Sequence, residues 1–374
     1  MEVGSLMRVL TVNPGSSSLK LAVVEGGTGL AELTLDHWSG ASGGELARFA
    51  GAHAQLDAAA VRVVHGGARR GPVRLDETVL GELERWVPMA PLHQPRSVAL
   101  ARHLLGVLPG VPVVACFDTA FHADLPERAA TYALPHGWRA TYGIRRYGFH
   151  GLSLAHACRQ AARVLGAPPA ELGLVCCHLG AGASVTAVDG GRSVDTSMGF
   201  TPLEGVPMAT RAGSIDPGIP LYLMRQHGFS VSQVDTELNH HSGLAGLSGT
   251  SGDIREVVAA RAHGDPAARL ALDVYVHRLR REIAAAAVSL PALHAVVLTG
   301  GVAEHQAGLR AELFTGAHFG IRVDPVRNAA DGDRVISTGG SGVAVVLIAC
   351  REDLELARQT ELLLLANQVE VSAR

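Results

Sequence analysis

Lysine is all but missing from this chain: of the 32 Lys and Arg residues among 374, only Lys20 is a lysine. With a net charge of −3 and no Lys/Arg cluster interleaved with aromatics, nothing in the charge balance points to a nucleic-acid or membrane-surface partner. The phosphate-binding signature GxxxxGK[ST] is absent, so this is no P-loop enzyme. Neither Gly180-Ala181-Gly182 nor the glycine cluster at 339–342 completes GxGxxG. The 18 histidines are scattered, no HExxH occurs, and the five cysteines lack zinc-ligand spacing. The odd cysteine count, with Cys176 and Cys177 adjacent on an apolar run, predicts reduced thiols and no disulfide. Gly15-Ser16-Ser17-Ser18 lacks the closing glycine of the GxSxG hydrolase elbow. The apolar run at 343–350 is too short to cross a bilayer, and no basic segment followed by an apolar core opens the chain. A cytoplasmic protein without a membrane partner is expected.

What is present is organised around one stretch. Val9-Leu10-Thr11-Val12 and Leu21-Ala22-Val23-Val24 flank the turn Asn13-Pro14-Gly15-Ser16-Ser17-Ser18-Leu19-Lys20, and Glu25-Gly26-Gly27 comes next. Two β-branched runs about a Pro/Gly/Ser turn predict a hairpin. Small residues let backbone N–H groups close on phosphate oxygens, while Ser hydroxyls and Lys20 add charge-assisted bonds. The plain alternative is a tight turn with Lys20 in solvent. A second copy favours the anion: Leu174-Val175-Cys176-Cys177-His178-Leu179-Gly180-Ala181-Gly182-Ala183-Ser184 runs into Val185-Thr186-Ala187-Val188-Asp189-Gly190-Gly191. The copies stand roughly one domain length apart, and 374 residues at 47% apolar predict two domains. The expected fold is a duplicated α/β domain whose phosphate hairpins face each other across an interdomain cleft that holds a nucleotide.

Between and beyond the hairpins the chemistry is local. Residues 26–60 read as loop plus one helix over 44–55. Val61-Arg62-Val63-Val64-His65-Gly66-Gly67 is a strand ending in Gly-Gly, and an arginine inside it needs an anion, either a structural carboxylate or a ligand. Pro91-Leu92-His93 heads a helix over 97–108. Val113-Val114-Ala115-Cys116-Phe117-Asp118 is a buried-type strand with an acid at its carboxyl end, where open α/β sheets bind ligands. Tyr147-Gly148-Phe149-His150-Gly151 sets a histidine before a helix over 153–165, in a structural or a functional role. Residues 193–217, rich in Gly, Pro and Thr and centred on Arg211, form a long irregular stretch of the functional kind. Residues 242–255 read as a small-residue turn, and Thr299-Gly300-Gly301 as a strand-to-glycine turn open to a nucleoside.

Taken together, Asn13-Pro-Gly-Ser-Ser-Ser-Leu-Lys20, Arg62 to Gly67, Pro91-Leu-His93, Phe117-Asp-Thr-Ala-Phe-His122, Tyr147 to Gly151, His178-Leu-Gly180, Asp195-Thr-Ser-Met-Gly-Phe-Thr-Pro-Leu-Glu-Gly205, Thr210-Arg211 and Ile215-Asp-Pro217 resemble the acetate kinase family of the sugar kinase and actin superfamily. The resemblance implies two ribonuclease H-like domains, 1–121 with 355–374 and 122–354. It also implies in-line transfer between ATP/ADP and a short carboxylate, and a homodimer through the second domain. Carried onto this chain, it makes Asp118, Arg62, Arg211 and His150 catalytic, with His93 in support. Val64, Leu92, Phe149 and Pro202 form the acyl pocket. Ser16, Ser18, Lys20, His178, Gly180, Gly182, Asp253, Ile254, Arg255, Gly300, Gly301 and Glu304 bind the nucleotide. Asn13 and Glu352 anchor Mg2+, with Mn2+ as the alternative ion.

Three positions depart from the family pattern. Ala181 stands for Asn, Gly301-Val302-Ala303-Glu304-His305 for Gly-Ile-Gly-Glu-Asn, and Arg351 for the Asn before Glu352. The stretch before Arg62 is short as well. The expected activity is acetate kinase, beside three alternatives: a propionate or other short-chain acyl kinase, a pyrophosphate-using relative, and a non-enzymatic actin-like nucleotide-gated protein.

Overall fold

The computed structural model describes residues 6–15, 18–36, 38, 43–53, 55–316 and 318–372. They belong to two units, one of Met1–Ala123, Phe149–His156 and Arg351–Arg374, the other of Asp124–Gly148 and Ala157–Cys350.

In the first unit, β1 (Arg8–Pro14), β2 (Ser18–Glu25), β3 (Thr28–Asp36), β4 (Ala58–Val63), β5 (Val73–Arg74) and β6 (Val113–Phe117) form one sheet. Its order is β3-β2-β1-β4-β6-β5. The first three strands pair antiparallel, β1, β4 and β6 run parallel, and β5 is an antiparallel edge. Parallel strands covered on both faces need apolar side chains in both directions, and these have them. Leu10, Val12, Val61, Val63 and Ala115 pack with Val98, Ala101 and Leu104 of the helix Gln94–Val107. On the other face Val9, Ala58, Ala60 and Val114 pack with Leu152 and with Leu356 and Ala357 of the helix Glu352–Ser372.

The second unit repeats this plan strand for strand. β7 (Gly173–Leu179), β8 (Ala183–Asp189), β9 (Arg192–Thr196), β10 (Ala295–Thr299), β11 (Arg334–Val335) and β12 (Ala344–Leu347) lie in the order β11-β12-β10-β7-β8-β9. The expected duplication extends to detail. Gly26-Gly27 joins β2 to β3 and Gly190-Gly191 joins β8 to β9, with φ of 57, 76, 55 and 80°. Two-residue hairpin turns that match strand twist need φ > 0, which glycine adopts without strain. Each ladder also carries a register shift, at Val23/Val24 and at Ala187/Val188. The helix Pro266–Ala287 packs on β7 and β8, started by Pro266 and by the Asp265 carboxylate, which accepts from the N–H groups of Ala267 and Ala268.

Two expectations need correction. The segment 26–60 holds, besides its helix (Gly43–Ala52), the whole of β3. Half-buried Ala31, Leu33 and Leu35 alternate there with exposed Glu32 and Thr34. An edge strand covers only one face, so its apolar content is diluted and its period is easily missed. The turn at 242–255 contains the helix Gly243–Ser248.

His65, just beyond β4, is fully buried and stacks on Trp86 with ring centroids 4.6 Å apart. Its Nδ1 accepts from the Gly67 N–H at 3.0 Å. Burial lowers its pKa from 6.5 to about 4, and His122 is lowered to the same value by the same cause. A depressed histidine contributes stability that is complete above the unfolded value and lost as pH falls from 6.5 toward 4, about 3 kcal/mol for each such residue. Asp118 works the other way: burial raises its pKa to about 6, so its unfavourable contribution is relieved in acid. The unfolding free energy of a His65→Gln variant, which keeps an acceptor for Gly67, should therefore fall less steeply with acidification between about pH 6.5 and 4 than that of the wild type. Denaturant titrations at several pH values check this, and equal slopes would contradict it.

Candidate active site

The three parallel strands of the first sheet each end on a polar side chain, at the edge where α/β sheets take ligands. Asn13 is next to last in β1, Arg62 next to last in β4, and Asp118 directly succeeds β6. Arg62 joins them. Its Nε and Nη2 donate to Asp118 Oδ2 at 3.1 and 2.7 Å, and its Nη1 donates to Asn13 Oδ1 at 3.2 Å and to Glu352 Oε2 at 3.4 Å. Asn13 Nδ2 donates to Glu352 Oε2 at 2.7 Å. Of the two partners left open for this arginine, the structure contains the carboxylate. Glu352 reaches the cluster because it opens the helix Glu352–Ser372, which packs beneath the sheet.

The cluster is short of positive charge. Burial is the main cause that lifts Asp118 to about 6; Arg62 opposes it and the Glu352 charge adds to it. Two buried carboxylates and an amide oxygen face one guanidinium. Carboxylate and amide oxygens of this kind suit a hard divalent cation.

Around the cluster the loops are stitched together. Gln94 exchanges two hydrogen bonds with the His65 backbone, at 3.0 and 2.9 Å, and so ties the residue after Val64 to the residue after His93. Val64 and Phe149 are buried, Leu92 and His93 partly so, and His65 meets Phe149 edge to face with centroids 5.8 Å apart. His150 is buried with φ +59°. Ser18 and Lys20 lie on β2, where Lys20 is the ladder partner of Asn13. Ser16 lies outside the described residues. Gln94, His65 and His122 are the supporting side chains that sequence reasoning passed over. Their one available signal, a polar residue inside an apolar neighbourhood, does not identify the partner.

In the second unit Arg211 is buried in the irregular stretch after β9, and its Nη1 donates to the Pro202 carbonyl at 2.6 Å. Among the described residues no carboxylate pairs with it. Burial lowers its pKa to about 10, which leaves it charged at neutral pH. Its backbone is fastened on both sides: Met208 N–H to Arg211 O at 3.1 Å, Ser242 N–H to Thr210 O at 2.9 Å, and Ala209 N–H to Ala181 O at 3.1 Å. The last bond ties this stretch to the β7–β8 turn through the position where the family pattern has Asn.

Beside it opens a cavity of about 420 Å³. Gly180, Asp253, Ile254, Arg255 and Gly301 of the expected nucleotide set line it, with Ala181, Ala209, Leu244, Tyr275, Val302, His305 and Gln306 among the rest. His178, Gly182, Gly300 and Glu304 do not. Gly182 tightens the turn by accepting from the Gly180 N–H at 2.9 Å, and Glu304 Oε1 accepts from the Cys350 N–H at 3.0 Å. Asp253 caps the helix Ile254–Ala262, accepting from the Arg255 N–H at 2.8 Å. The apolar walls were invisible in sequence because such side chains carry no motif.

The model of the acetokinase family matches residues 45–358. An acetate kinase of Synechococcus sp. (strain JA-2-3B'a(2-13)) is 46% identical over 344 residues, 91% of this chain and 84% of that protein. The crystal structure of Porphyromonas gingivalis acetate kinase superposes with a TM-score of 0.87 at 31% identity, over 96% of this chain and 100% of the other. That of a propionate kinase from Francisella tularensis subsp. tularensis SCHU S4 gives 0.87 at 32% identity, over 94% and 98%. The chain belongs to the acetokinase family.

Proposed function

We propose that this protein is an acetate kinase, a carboxyl-group phosphotransferase that moves the terminal phosphoryl group of ATP to a carboxylate oxygen of acetate, giving ADP and acetyl phosphate, reversibly. The observation that carries the reading is Arg211, a buried guanidinium with no carboxylate among the described residues to neutralise it. A desolvated cation of this kind is stabilised by an anionic ligand.

The chemistry asks little else of the protein. An acid of pKa near 4 is already ionised at neutral pH, so the nucleophile needs no strong base, and catalysis comes from positioning and charge neutralisation. In our reading Arg211 and Arg62 bind the carboxylate and the transferring phosphoryl group. His150, with His93, donates hydrogen bonds to the phosphoryl oxygens as they become trigonal. Asp118 holds Arg62 by accepting from its Nε and Nη2. Val64, Leu92, Phe149 and Pro202 take the acyl methyl. The second-unit cavity, with its glycine turn at 180–182 and its apolar walls, suits the nucleotide.

Mg2+, or Mn2+ in its place, fits the oxygen donors of Asn13 and Glu352, where two carboxylates meet one guanidinium and a dication would offset the difference. When bound it would neutralise charge on the phosphates. A homodimer through the second unit belongs to the same reading, supported by the exposed Ile215, Ile219, Leu221 and Tyr222, as does a cytoplasmic location. Among the described residues no helix is long and apolar enough to cross a membrane.

Replacing Arg211 by Ala should lower kcat by about 10³, as for other arginines that stabilise phosphoryl transfer. Steady-state assay of the purified variant checks this, and full activity would contradict the assignment. A methylene is worth about 1–3 kcal/mol in a small apolar pocket, so kcat/KM should fall by about 10- to 100-fold from acetate to propionate and again to butyrate. Val64→Ala should narrow the first gap. A wild-type preference for propionate or butyrate would replace acetate as the substrate.

A further inference from the structure

The chain leaves the first unit after Ala123 and re-enters it at Phe149. The side chain next to the exit is bonded to the backbone at the return: His122 Nε2 lies 2.9 Å from the Phe149 carbonyl oxygen. A carbonyl only accepts, so Nε2 carries the proton and the imidazole donates. His122 and Phe149 are both buried, at 0% and 1% exposure. Burial also lowers the His122 pKa to about 4, so the ring stays neutral at neutral pH.

The backbone immediately after Phe149 is strained. His150 has φ +59°, one of three non-glycine residues with positive φ among the described residues. L side chains adopt this region when their surroundings over-determine it. The far side is fixed by Asp118. Gly151 approaches so closely that a Cβ would stand 2.1 Å from the Asp118 carbonyl oxygen, and the Leu152 N–H donates to Asp118. His150 is therefore held between two anchors, His122 before it and Asp118 after it, and one of them is the acid that grips Arg62.

We propose that His122 is a positioning residue whose N–H···O=C bond to Phe149 holds His150 in its left-handed backbone conformation and so aims the His150 imidazole at the transferring phosphoryl group. The inference rests on the acetate kinase reading for what His150 does, but not for where His122 holds it. Without the donor, the buried Phe149 carbonyl is left unpaired, the Phe149–His150 peptide turns toward another partner, and His150 relaxes to negative φ.

Two substitutions separate the bond from the packing: His122→Phe fills the space without a donor, and His122→Gln returns an N–H close to the position of Nε2. His122→Phe should lower kcat by about 30- to 100-fold, the scale of a misplacement of about 1 Å at a reacting group, with the nucleotide Kd unchanged within about twofold. His122→Gln should recover to within about fivefold of wild type. In a His150→Ala background, His122→Phe should cost less than about twofold more, because its effect passes through His150. A crystal structure of His122→Phe should place His150 at negative φ. Equal losses in both backgrounds, a Gln variant as impaired as the Phe variant, or a positive φ retained at His150 would each overturn the inference. Failure of the wild type to phosphorylate acetate would remove the functional reading, while the φ angle would still decide the positioning.

Discussion

The paired hydrogen bonds between Arg62 and Asp118 are the constraint on which the functional end of the first unit depends. An arginine on a strand of alanines and valines is tolerable only if an acid meets it, and the adjacent parallel strand supplies one a single residue past its end. The remaining guanidinium nitrogen reaches Asn13 and Glu352, so one side chain connects β1, β4, β6 and the start of the C-terminal helix. Deleting either member of such a buried pair costs about 3–5 kcal/mol, because the survivor is left charged in a poor solvent. The same cluster holds two carboxylates against one guanidinium, a balance that a bound cation would offset.

The duplicated architecture carries different chemistry in its two copies. Asn13 pairs with Lys20 across the first ladder and His178 with Ser184 across the second, one residue from the end in each. Beside Asn13 in the parallel direction stands Arg62; beside His178 stands Thr299. Counted on from the paired strands, Cys350 takes the place of Asp118. The first sheet thus ends on asparagine, arginine and aspartate, the second on histidine, threonine and cysteine with glycine-lined turns. The fold supplies the same strand ends twice. Side-chain identity then sets the two apart: paired charges at the first set of strand ends, glycine turns and an apolar-walled cavity beside the second.

Much of this was legible in the chain itself. Arginine in an apolar strand, an acid at the end of another and a twin strand–turn–strand plan are local signals, and the cluster of Asn13, Arg62, Asp118 and Glu352 emerges from them and from the family resemblance. What escaped was long-range or featureless. His122 meets a backbone carbonyl 27 residues away, and Gln94 bonds to a backbone 29 residues away. Neither partner has a side-chain signature to match. β3 escaped because one exposed face dilutes its pattern, and the cavity walls at Leu244, Tyr275 and Val302 because apolar residues look alike whether they fill a core or face a ligand.

The account stands on the claim that these charged and glycine-lined ends serve transfer to a carboxylate rather than nucleotide binding alone. Incubating the purified protein with ATP and Mg2+, with and without acetate, and trapping acyl phosphate with hydroxylamine tests it most directly. The account predicts ADP formation that requires acetate and is matched mole for mole by acetohydroxamate. ATP hydrolysis indifferent to acetate, with no hydroxamate, would contradict it and favour a nucleotide-gated protein of the actin kind.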